Sequence, residues 1–227
     1  VASLLASRGY AVLALAYFGL PGLPDRLVGV PLDSVASAVE WLAARESVRS
    51  EPLGVVGWSR GGELALLAAS RLDPLRTAVG YAPSVVTFQG NRLLSDPGSA
   101  WTVEGESLPY VPLARSAGFV IEATGRWLGG RPVSLRPLFE RGLSQASDVA
   151  LRAATIPVEE IGGPLLLVTG DDDRVWPADT LATRAMARLD AHDYDAPYEH
   201  LRVPGAGHDI KVPYHPTTER VVRPLPI

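Results

Sequence analysis

The chain has 227 residues, of which 47% are hydrophobic and 20% are charged, and it contains no cysteine. This size and composition predict one globular domain, and the scattered basic residues with a net charge of −4 exclude a nucleic-acid footprint and a polybasic membrane patch. The missing cysteine excludes disulfides, thiolate metal sites and a thiol nucleophile, and it is typical of a reducing compartment, so we expect a cytoplasmic protein.

Short apolar runs alternate with helical patterns in the first part of the chain. Residues 1–10 predict the end of an amphipathic helix, and residues 11–16 (AVLALA) predict a buried strand. This apolar stretch is about half as long as a membrane-spanning helix needs. After a loop rich in Gly and Pro, Asp33 or Ser34 is predicted to cap a helix that ends near residue 45.

The same alternation continues to the end of the chain. Strands are predicted at 53–58, 78–82, 164–170 and 200–204, with helices at 63–72 and 178–189. This order is typical of an α/β protein with a mostly parallel sheet and helices on both faces. Between 84 and 163 the alternation lapses, and we interpret this stretch as an inserted cap with a hairpin near 102–111. We expect one domain over 1–227, cut at both ends from a longer polypeptide.

Gly57-Trp58-Ser59-Arg60-Gly61 fits the G-x-S-x-G pattern, and it lies between a predicted strand and a predicted helix. In that context the pattern forms a nucleophile elbow, in which a strained turn projects the serine above the sheet of an α/β-hydrolase fold. Small residues at 57 and 61 relieve crowding between strand and helix. The sequence therefore predicts Ser59 as a nucleophile.

A serine nucleophile needs an imidazole as general base and a carboxylate to orient that imidazole. In this fold the acid precedes the histidine along the chain. Asp171, Asp172 and Asp173 all follow the strand at 164–170, and each can reach an imidazole from a turn; of the three we predict Asp173. His208, in a glycine-rich loop after the last strand, is the predicted base.

The remaining histidines lie in polar surroundings and receive no role: His192, His200 and His215. The oxyanion hole of such an enzyme has two backbone N–H donors, one of which follows the nucleophile. That donor is predicted to be the N–H of Arg60. The second is expected from a loop before residue 1.

Four stretches together resemble the C-terminal catalytic domain of the acyl-CoA thioesterase and bile acid-CoA:amino acid N-acyltransferase family: ASLLASRGYAVLALAYFG, VGWSRGGELALLAAS, IPVEEIGGPLLLVTGDDDRVWP and VPGAGHDIKVPYHP. The resemblance covers nearly the whole chain. It implies an acyl-enzyme on Ser59, a triad completed by Asp173 and His208, an acyl-CoA thioester as substrate, and no cofactor or metal. It also implies an N-terminal β-sandwich domain, to which nothing here corresponds.

The resemblance leaves several functions open. Family members that transfer acyl groups to amino acids use cysteine at the elbow, whereas the hydrolases typically use serine, so Ser59 favours hydrolysis. A carboxylester or dienelactone-type hydrolase would use the same triad, and a silent binding module would keep the same fold. The oligomeric state is left open by the sequence.

Two groups of side chains in the predicted cap have competing interpretations. Five arginines offer guanidinium groups for the phosphates of coenzyme A, although an arginine-rich cap also follows from the overall composition: Arg115, Arg126, Arg131, Arg136 and Arg141. Three tryptophans are candidates for lining an acyl pocket, but large aromatics more often serve as packing: Trp101, Trp127 and Trp176.

Overall fold

The computed structural model describes residues 1–49, 52–91 and 97–210. Its helices are α1 (Ala2–Ala6), α2 (Asp33–Ala43), α3 (Arg60–Ala69), α4 (Ala117–Leu128), α5 (Arg136–Gln145), α6 (Asp148–Ala154) and α7 (Ala178–Ala191), with a 3₁₀ turn at Val158–Glu160. Its strands are β1 (Val30–Pro31), β2 (Leu53–Trp58), β3 (Leu75–Tyr81), β4 (Trp101–Val103), β5 (Glu106–Ser107), β6 (Leu165–Gly170) and β7 (Tyr198–Val203).

The main sheet has four parallel strands in the order β2-β3-β6-β7. Helix α3 packs on β2 and β3, and helix α7 packs on β6 and β7. Parallel neighbours need crossover connections, and helices supply them here. The predicted α/β class, with a mostly parallel sheet, is therefore confirmed.

The two faces of the main sheet differ in burial. Ala78 and Leu165, which are partners across β3 and β6, are both buried. On the opposite face, the side chain of Val56 is 39% exposed and that of Leu201 is 46% exposed. Within the described residues, the second face is thus covered less than the fold class leads one to expect.

A smaller sheet, in the order β1-β4-β5, includes the predicted hairpin. Glu104 and Gly105 form its two-residue turn with φ of 51° and 81°. Positive φ at both central positions is the geometry that matches the twist of a tight hairpin, and glycine accepts it without strain. The hairpin prediction over 102–111 is confirmed, with β4 and β5 as its arms.

The predicted strand over 11–16 is wrong. A strand needs a neighbour that accepts and donates its backbone hydrogen bonds, and no described strand pairs with these residues. Their side chains are largely exposed, with Val12 at 36% and Leu15 at 38%. The apolar pattern is typical of a buried strand, but a strand also needs a pairing neighbour, and none is found among the described residues.

The predicted cap of α2 is also wrong. The helix begins at Asp33 with Leu32 at the N-cap position, and no side chain caps it by a hydrogen bond. The carboxylate of Asp33 instead accepts a hydrogen bond from the backbone N–H of Glu104, 3.2 Å away in the hairpin turn. A tertiary contact has replaced the local one.

Part of the stretch that the sequence marks as an insertion lies inside the core. Phe88, Trp101 and Val111 are fully buried and pack in one cluster with Leu66 of α3 and Trp176. By contrast, α4 has no buried residue. The inner part of this stretch therefore supports the nucleophile region, and α4 lies at the surface.

No helix in the described parts of the chain is long and apolar enough to cross a membrane.

Candidate active site

The turn between β2 and α3 carries Ser59 in a backbone conformation that is rare for a residue with a side chain. Its φ is 56° and its ψ is −123°. The Ser59 N–H donates to the Tyr81 carbonyl at 2.8 Å, and the Ser59 carbonyl accepts from Gly62 N–H at 2.9 Å. This strained strand-turn-helix junction is the elbow that the sequence predicts.

Gly57 is required by the close approach of the two arms of this elbow. A methyl carbon at position 57 would overlap the Gly61 carbonyl and lie 2.7 Å from the Gly62 nitrogen. We expect Gly57→Ala to lower the free energy of unfolding by about 3 kcal/mol or more, because backbone on both sides must move. Urea unfolding followed by circular dichroism measures this.

Gly54 on the same strand is the matched control. A methyl carbon there would meet the Thr77 side chain at 3.6 Å, which is ordinary van der Waals contact. Gly54→Ala is expected to change the free energy of unfolding by less than about 1 kcal/mol, since alanine costs less conformational entropy than glycine in a strand. Equal losses in the two variants would contradict the steric explanation.

His208 lies between Ser59 and Asp173. Its Nε2 is 2.7 Å from the Ser59 Oγ, and its Nδ1 is 2.8 Å from the Asp173 Oδ2. The Asp173 side chain is fully buried, and that of His208 is 11% exposed. The structure thus brings together the three side chains that the sequence singled out. An imidazole in this position is able to take a proton from the hydroxyl while the carboxylate fixes its orientation.

The three consecutive aspartates have different surroundings. Asp173 Oδ1 accepts from the backbone N–H groups of Val175 and Trp176, at 2.8 and 3.3 Å, which leaves Oδ2 for His208. Asp172 is exposed and contacts Arg174 through two hydrogen bonds.

Asp171 links the acid loop to the histidine loop. Its Oδ1 accepts from the backbone N–H of Gly205 at 2.7 Å, and the Asp172 N–H donates to the Ala206 carbonyl at 3.0 Å. Neither of these two aspartates is hydrogen-bonded to the imidazole of His208. Of the three, Asp173 is the one whose carboxylate meets the imidazole.

Two tryptophans contact the imidazole of His208. The Trp58 ring lies 5.3 Å from it, centroid to centroid, and the Trp58 Nε1–H donates to the His208 carbonyl at 3.1 Å. The Trp176 ring meets it edge to face at 5.7 Å, and its own Nε1–H donates to the Ala82 carbonyl. Trp58 was not among the residues predicted for the site, although its place beside the nucleophile was a signal.

The backbone N–H of Arg60 lies at the first position of α3. The first N–H groups of a helix have no partner within the helix, and the helix dipole makes this end positive. This end of α3 is therefore able to stabilise an anion next to Ser59. The donor that the sequence analysis expected from a loop before residue 1 has no described counterpart.

The side chain of Arg60 forms a buried ion pair with Glu63, which the sequence analysis did not foresee. Arg60 Nη1 lies 2.7 Å from Glu63 Oε2, and the two side chains are 12% and 0% exposed. Burial raises the pKa of Glu63 to about 7, and the charge of Arg60 together with the Trp101 and Phe88 N–H groups keeps it from rising further. A glutamate in the apolar run of α3 was the available signal.

Tyr17 lies next to Gly61 of the elbow. Its hydroxyl would lie 3.3 Å from a methyl carbon at Gly61, and its ring contacts that of Trp101 at 5.9 Å. Burial raises the pKa of its hydroxyl group. The segment that follows residues 11–16 thus reaches the site without joining the sheet.

His192 and His200 have hydrogen-bond or ion-pair partners outside this cluster of side chains. His200 Nε2 is 2.7 Å from the Thr169 hydroxyl, and burial lowers the pKa of His200. His192 is half exposed and lies 3.8 Å from Glu159. His215 lies outside the described residues. In the described ranges, no three His, Cys, Asp or Glu side chains form a group that could hold a metal ion.

Two of the arginines considered for coenzyme A are paired with acidic side chains. Arg126 contacts Glu122, and Arg136 contacts Glu140 and donates to the Asp173 carbonyl at 3.1 Å. Among the tryptophans, Trp101 and Trp176 are buried, whereas Trp127 is 67% exposed. Arg136 therefore supports the acid loop, and Trp176 is the tryptophan of the three that contacts His208.

Comparisons with solved structures give partial matches. The match to a putative dipeptidyl aminopeptidase IV from Bacteroides ovatus covers 78% of this chain and 19% of that protein, with 18% identity and a TM-score of 0.43. The match to a dienelactone hydrolase-like promiscuous phosphotriesterase from metagenomic libraries covers 79% of this chain and 47% of that protein, with 15% identity and a TM-score of 0.40.

The similarity to curated proteins is stronger. Human acyl-coenzyme A thioesterase 1 is 33% identical over 215 residues, which is 95% of this chain and 46% of the relative. Human mitochondrial acyl-coenzyme A thioesterase 2 is also 33% identical, over 95% of this chain and 40% of the relative. The peroxisomal succinyl-coenzyme A thioesterase of Mus musculus is 29% identical over 95% and 46%. This chain spans less than half the length of these relatives.

Residues 30–226 match the sequence profile of the family described as BAAT / acyl-CoA thioester hydrolase C terminal, and the chain belongs to that family.

Proposed function

We propose that this chain carries the catalytic centre of a serine hydrolase that cleaves acyl-CoA thioesters to a free acid and coenzyme A. The observation that carries the proposal is the contact series from the Ser59 hydroxyl through His208 to the buried Asp173, within a member of this family. The names of the relatives support a thioester of coenzyme A as the substrate class.

In the first half-reaction His208 Nε2 takes the proton of Ser59 as the Oγ attacks the thioester carbonyl. Asp173 stabilises the imidazolium that forms, and the Arg60 N–H donates to the oxyanion of the tetrahedral intermediate. When the intermediate collapses, the carbon–sulfur bond breaks, and His208 returns the proton to the sulfur of coenzyme A. An acyl ester of Ser59 remains.

In the second half-reaction water replaces the thiol. His208 takes a proton from water as the oxygen attacks the acyl-serine carbonyl, and the same N–H donor stabilises the second oxyanion. Collapse breaks the bond to Ser59 Oγ, which regains its proton from the imidazolium. The products are the free acid and the serine.

The serine at the elbow supports hydrolysis over transfer to an amino acid. A cysteine acyl-enzyme is still a thioester, which amines attack readily, whereas an oxygen ester on Ser59 is cleared comparatively well by activated water. We therefore propose water as the acyl acceptor.

We further propose that residues 84–163 act as a cap over one domain that spans the described chain. The contacts between α5 and the acid loop support this. The backbone N–H groups of Leu135 and Arg136 donate to the Arg174 carbonyl at 3.0 and 3.1 Å, and the Ser134 hydroxyl donates to the same oxygen. The cap would thereby fix the loop that carries Asp173.

Competing thioester and oxygen-ester substrates test the proposed chemistry. We expect kcat/KM for an acyl-CoA to exceed that of the p-nitrophenyl ester of the same acid by about tenfold or more, corresponding to about 1.4 kcal/mol of transition-state discrimination. Thiol release and nitrophenol release, each measured on the purified natural polypeptide over a series of chain lengths, give the two values.

Equal or faster turnover of the oxygen esters would overturn the proposal in favour of a carboxylester hydrolase. Mass spectrometry of the products, with glycine present in excess, distinguishes the free acid from an amide. An amide as the main product would replace hydrolysis by acyl transfer.

A further inference from the structure

The buried Arg60–Glu63 pair lies directly behind the nucleophile, yet neither side chain has a task in the proposed reaction. Both residues belong to the first turn of α3, immediately after Ser59. The two opposite charges lie together in the described core, next to the elbow. Its contacts extend to segments that are distant along the chain.

The carboxylate of Glu63 binds three donors from three different segments. Oε1 accepts from Trp101 Nε1–H at 2.6 Å and from Phe88 N–H at 3.4 Å, while Oε2 accepts from Arg60 at 2.7 Å. Strand β4 and the segment after β3 are therefore both tied to the first turn of α3.

The guanidinium of Arg60 reinforces the same connection. Its Nη2 donates to the carbonyls of Phe88 and Gln89 at 3.2 and 3.0 Å. Its carbon lies 5.7 Å from the Trp101 ring centroid and 6.0 Å from that of Trp176, within the range of cation–π attraction. The planar fork thus joins the residue after the nucleophile to the core beneath it.

The need for stability alone does not explain the buried Arg60–Glu63 ion pair. Burying two charges costs solvation that their attraction often fails to recover, and apolar residues of similar size commonly do as well. In addition, the Arg60 Nε is buried and has no hydrogen-bond partner among the described residues. An ion pair that loses solvation and leaves a buried nitrogen without a partner points to a role in the geometry of the neighbouring site.

The neighbouring backbone needs such support. Ser59 has a φ of 56°, and strained residues keep their conformation only when the surroundings over-determine it. The N–H proposed to bind the oxyanion belongs to Arg60 itself, so any rotation of this turn moves both the nucleophile and the donor.

We propose that Arg60 and Glu63 are positioning residues, which hold the Ser59 hydroxyl and the Arg60 N–H in the geometry of the transition state through their side-chain ion pair. This inference rests on the proposed serine chemistry. It assigns the side chains of both residues a task that is separate from the backbone N–H of Arg60.

Glu63→Gln and the double variant Arg60→Met/Glu63→Gln separate positioning from stability. The single variant keeps an acceptor for Trp101 but leaves the Arg60 charge unpaired, so we expect a lower melting temperature. The double variant removes both charges, which is often near neutral for stability. Neither variant retains the ion pair between positions 60 and 63.

The readouts are kcat and KM for an acyl-CoA and the second-order rate of Ser59 phosphonylation by a fluorophosphonate, each per folded molecule. We expect kcat and the phosphonylation rate to fall about tenfold to a hundredfold in both variants, with KM within about twofold, because small displacements of reacting groups are costly. A wild-type phosphonylation rate in the folded double variant would overturn the inference.

Arg60→Lys decides the matter if the double variant does not fold. Lysine keeps a cation opposite Glu63 but loses the planar guanidinium, whose Nη1 binds the Glu63 carboxylate while its Nη2 binds the Phe88 and Gln89 carbonyls. A reduced phosphonylation rate in folded Arg60→Lys supports positioning, and an unchanged rate overturns it. If the wild type is phosphonylated but does not hydrolyse acyl-CoA, the proposed substrate fails while the comparison of phosphonylation rates still tests the ion pair.

Discussion

Replacing Ser59 with alanine is expected to lower the rate of thiol release from acyl-CoA by about 10⁴-fold or more, since the acyl-enzyme has no other oxygen to form on. The Ser59 Oγ contacts His208 Nε2 at 2.7 Å. Loss of the single Ser59 hydroxyl should leave the fold intact. Initial rates with saturating acyl-CoA measure the effect. The far-ultraviolet circular dichroism spectra of the variant and the wild type should be the same.

Ser70, at the opposite end of α3 from Ser59, provides the control for Ser59→Ala. Its hydroxyl donates to the Leu67 carbonyl at the end of α3 and does not contact the site. Ser70→Ala should retain wild-type rates. Thiol release by Ser59→Ala above about one per cent of the wild-type rate would require another nucleophile.

Asp173→Asn is expected to lower kcat by about 10³- to 10⁴-fold with little loss of stability. The amide oxygen can still accept from the Val175 N–H, but the amide nitrogen would face His208 Nδ1 and favour the wrong tautomer of the imidazole. Steady-state kinetics with acyl-CoA and thermal unfolding measure the two effects.

The neighbouring Asp172→Asn is the matched control, because it makes the same chemical change in the same turn. Asp172 forms an exposed ion pair with Arg174, and such pairs contribute about 0–1 kcal/mol. Its kcat should stay within about twofold of the wild type. If Asp172→Asn were the inactive variant and Asp173→Asn the active one, the acid would have to be reassigned.

The sequence correctly predicted those parts of the fold that depend on residues close together along the chain. The strand at 53–58 and the elbow that follows it were predicted at their observed places, since an apolar β-rich run, a G-x-S-x-G turn and a helix pattern occur in immediate succession. The hairpin of β4 and β5 has the same local character.

The predictions were wrong where the structure depends on a neighbouring strand or on a residue distant along the chain. The apolar residues 11–16 read as a strand, but a ladder needs a neighbour, and the described sheet ends at β2. Asp33 was predicted as a cap, yet its carboxylate binds a hairpin turn at Glu104, far along the chain.

The Arg60–Glu63 pair was missed for the same physical reason. Sequence spacing reveals that the two residues share a helix turn, but it does not reveal that Phe88, Gln89 and Trp101 converge on them. The choice among the three aspartates was likewise a matter of tertiary contacts, because each side chain has the same chemistry.

The base of this site follows an edge strand of the described main sheet. His208 follows β7, which pairs with β6 alone at one end of the described order, and it meets Ser59 across 149 residues of sequence. Edge strands open locally at lower free energy than central ones. Under mild denaturation, fraying of β7 would withdraw the imidazole from Ser59, so catalytic inactivation would precede global unfolding.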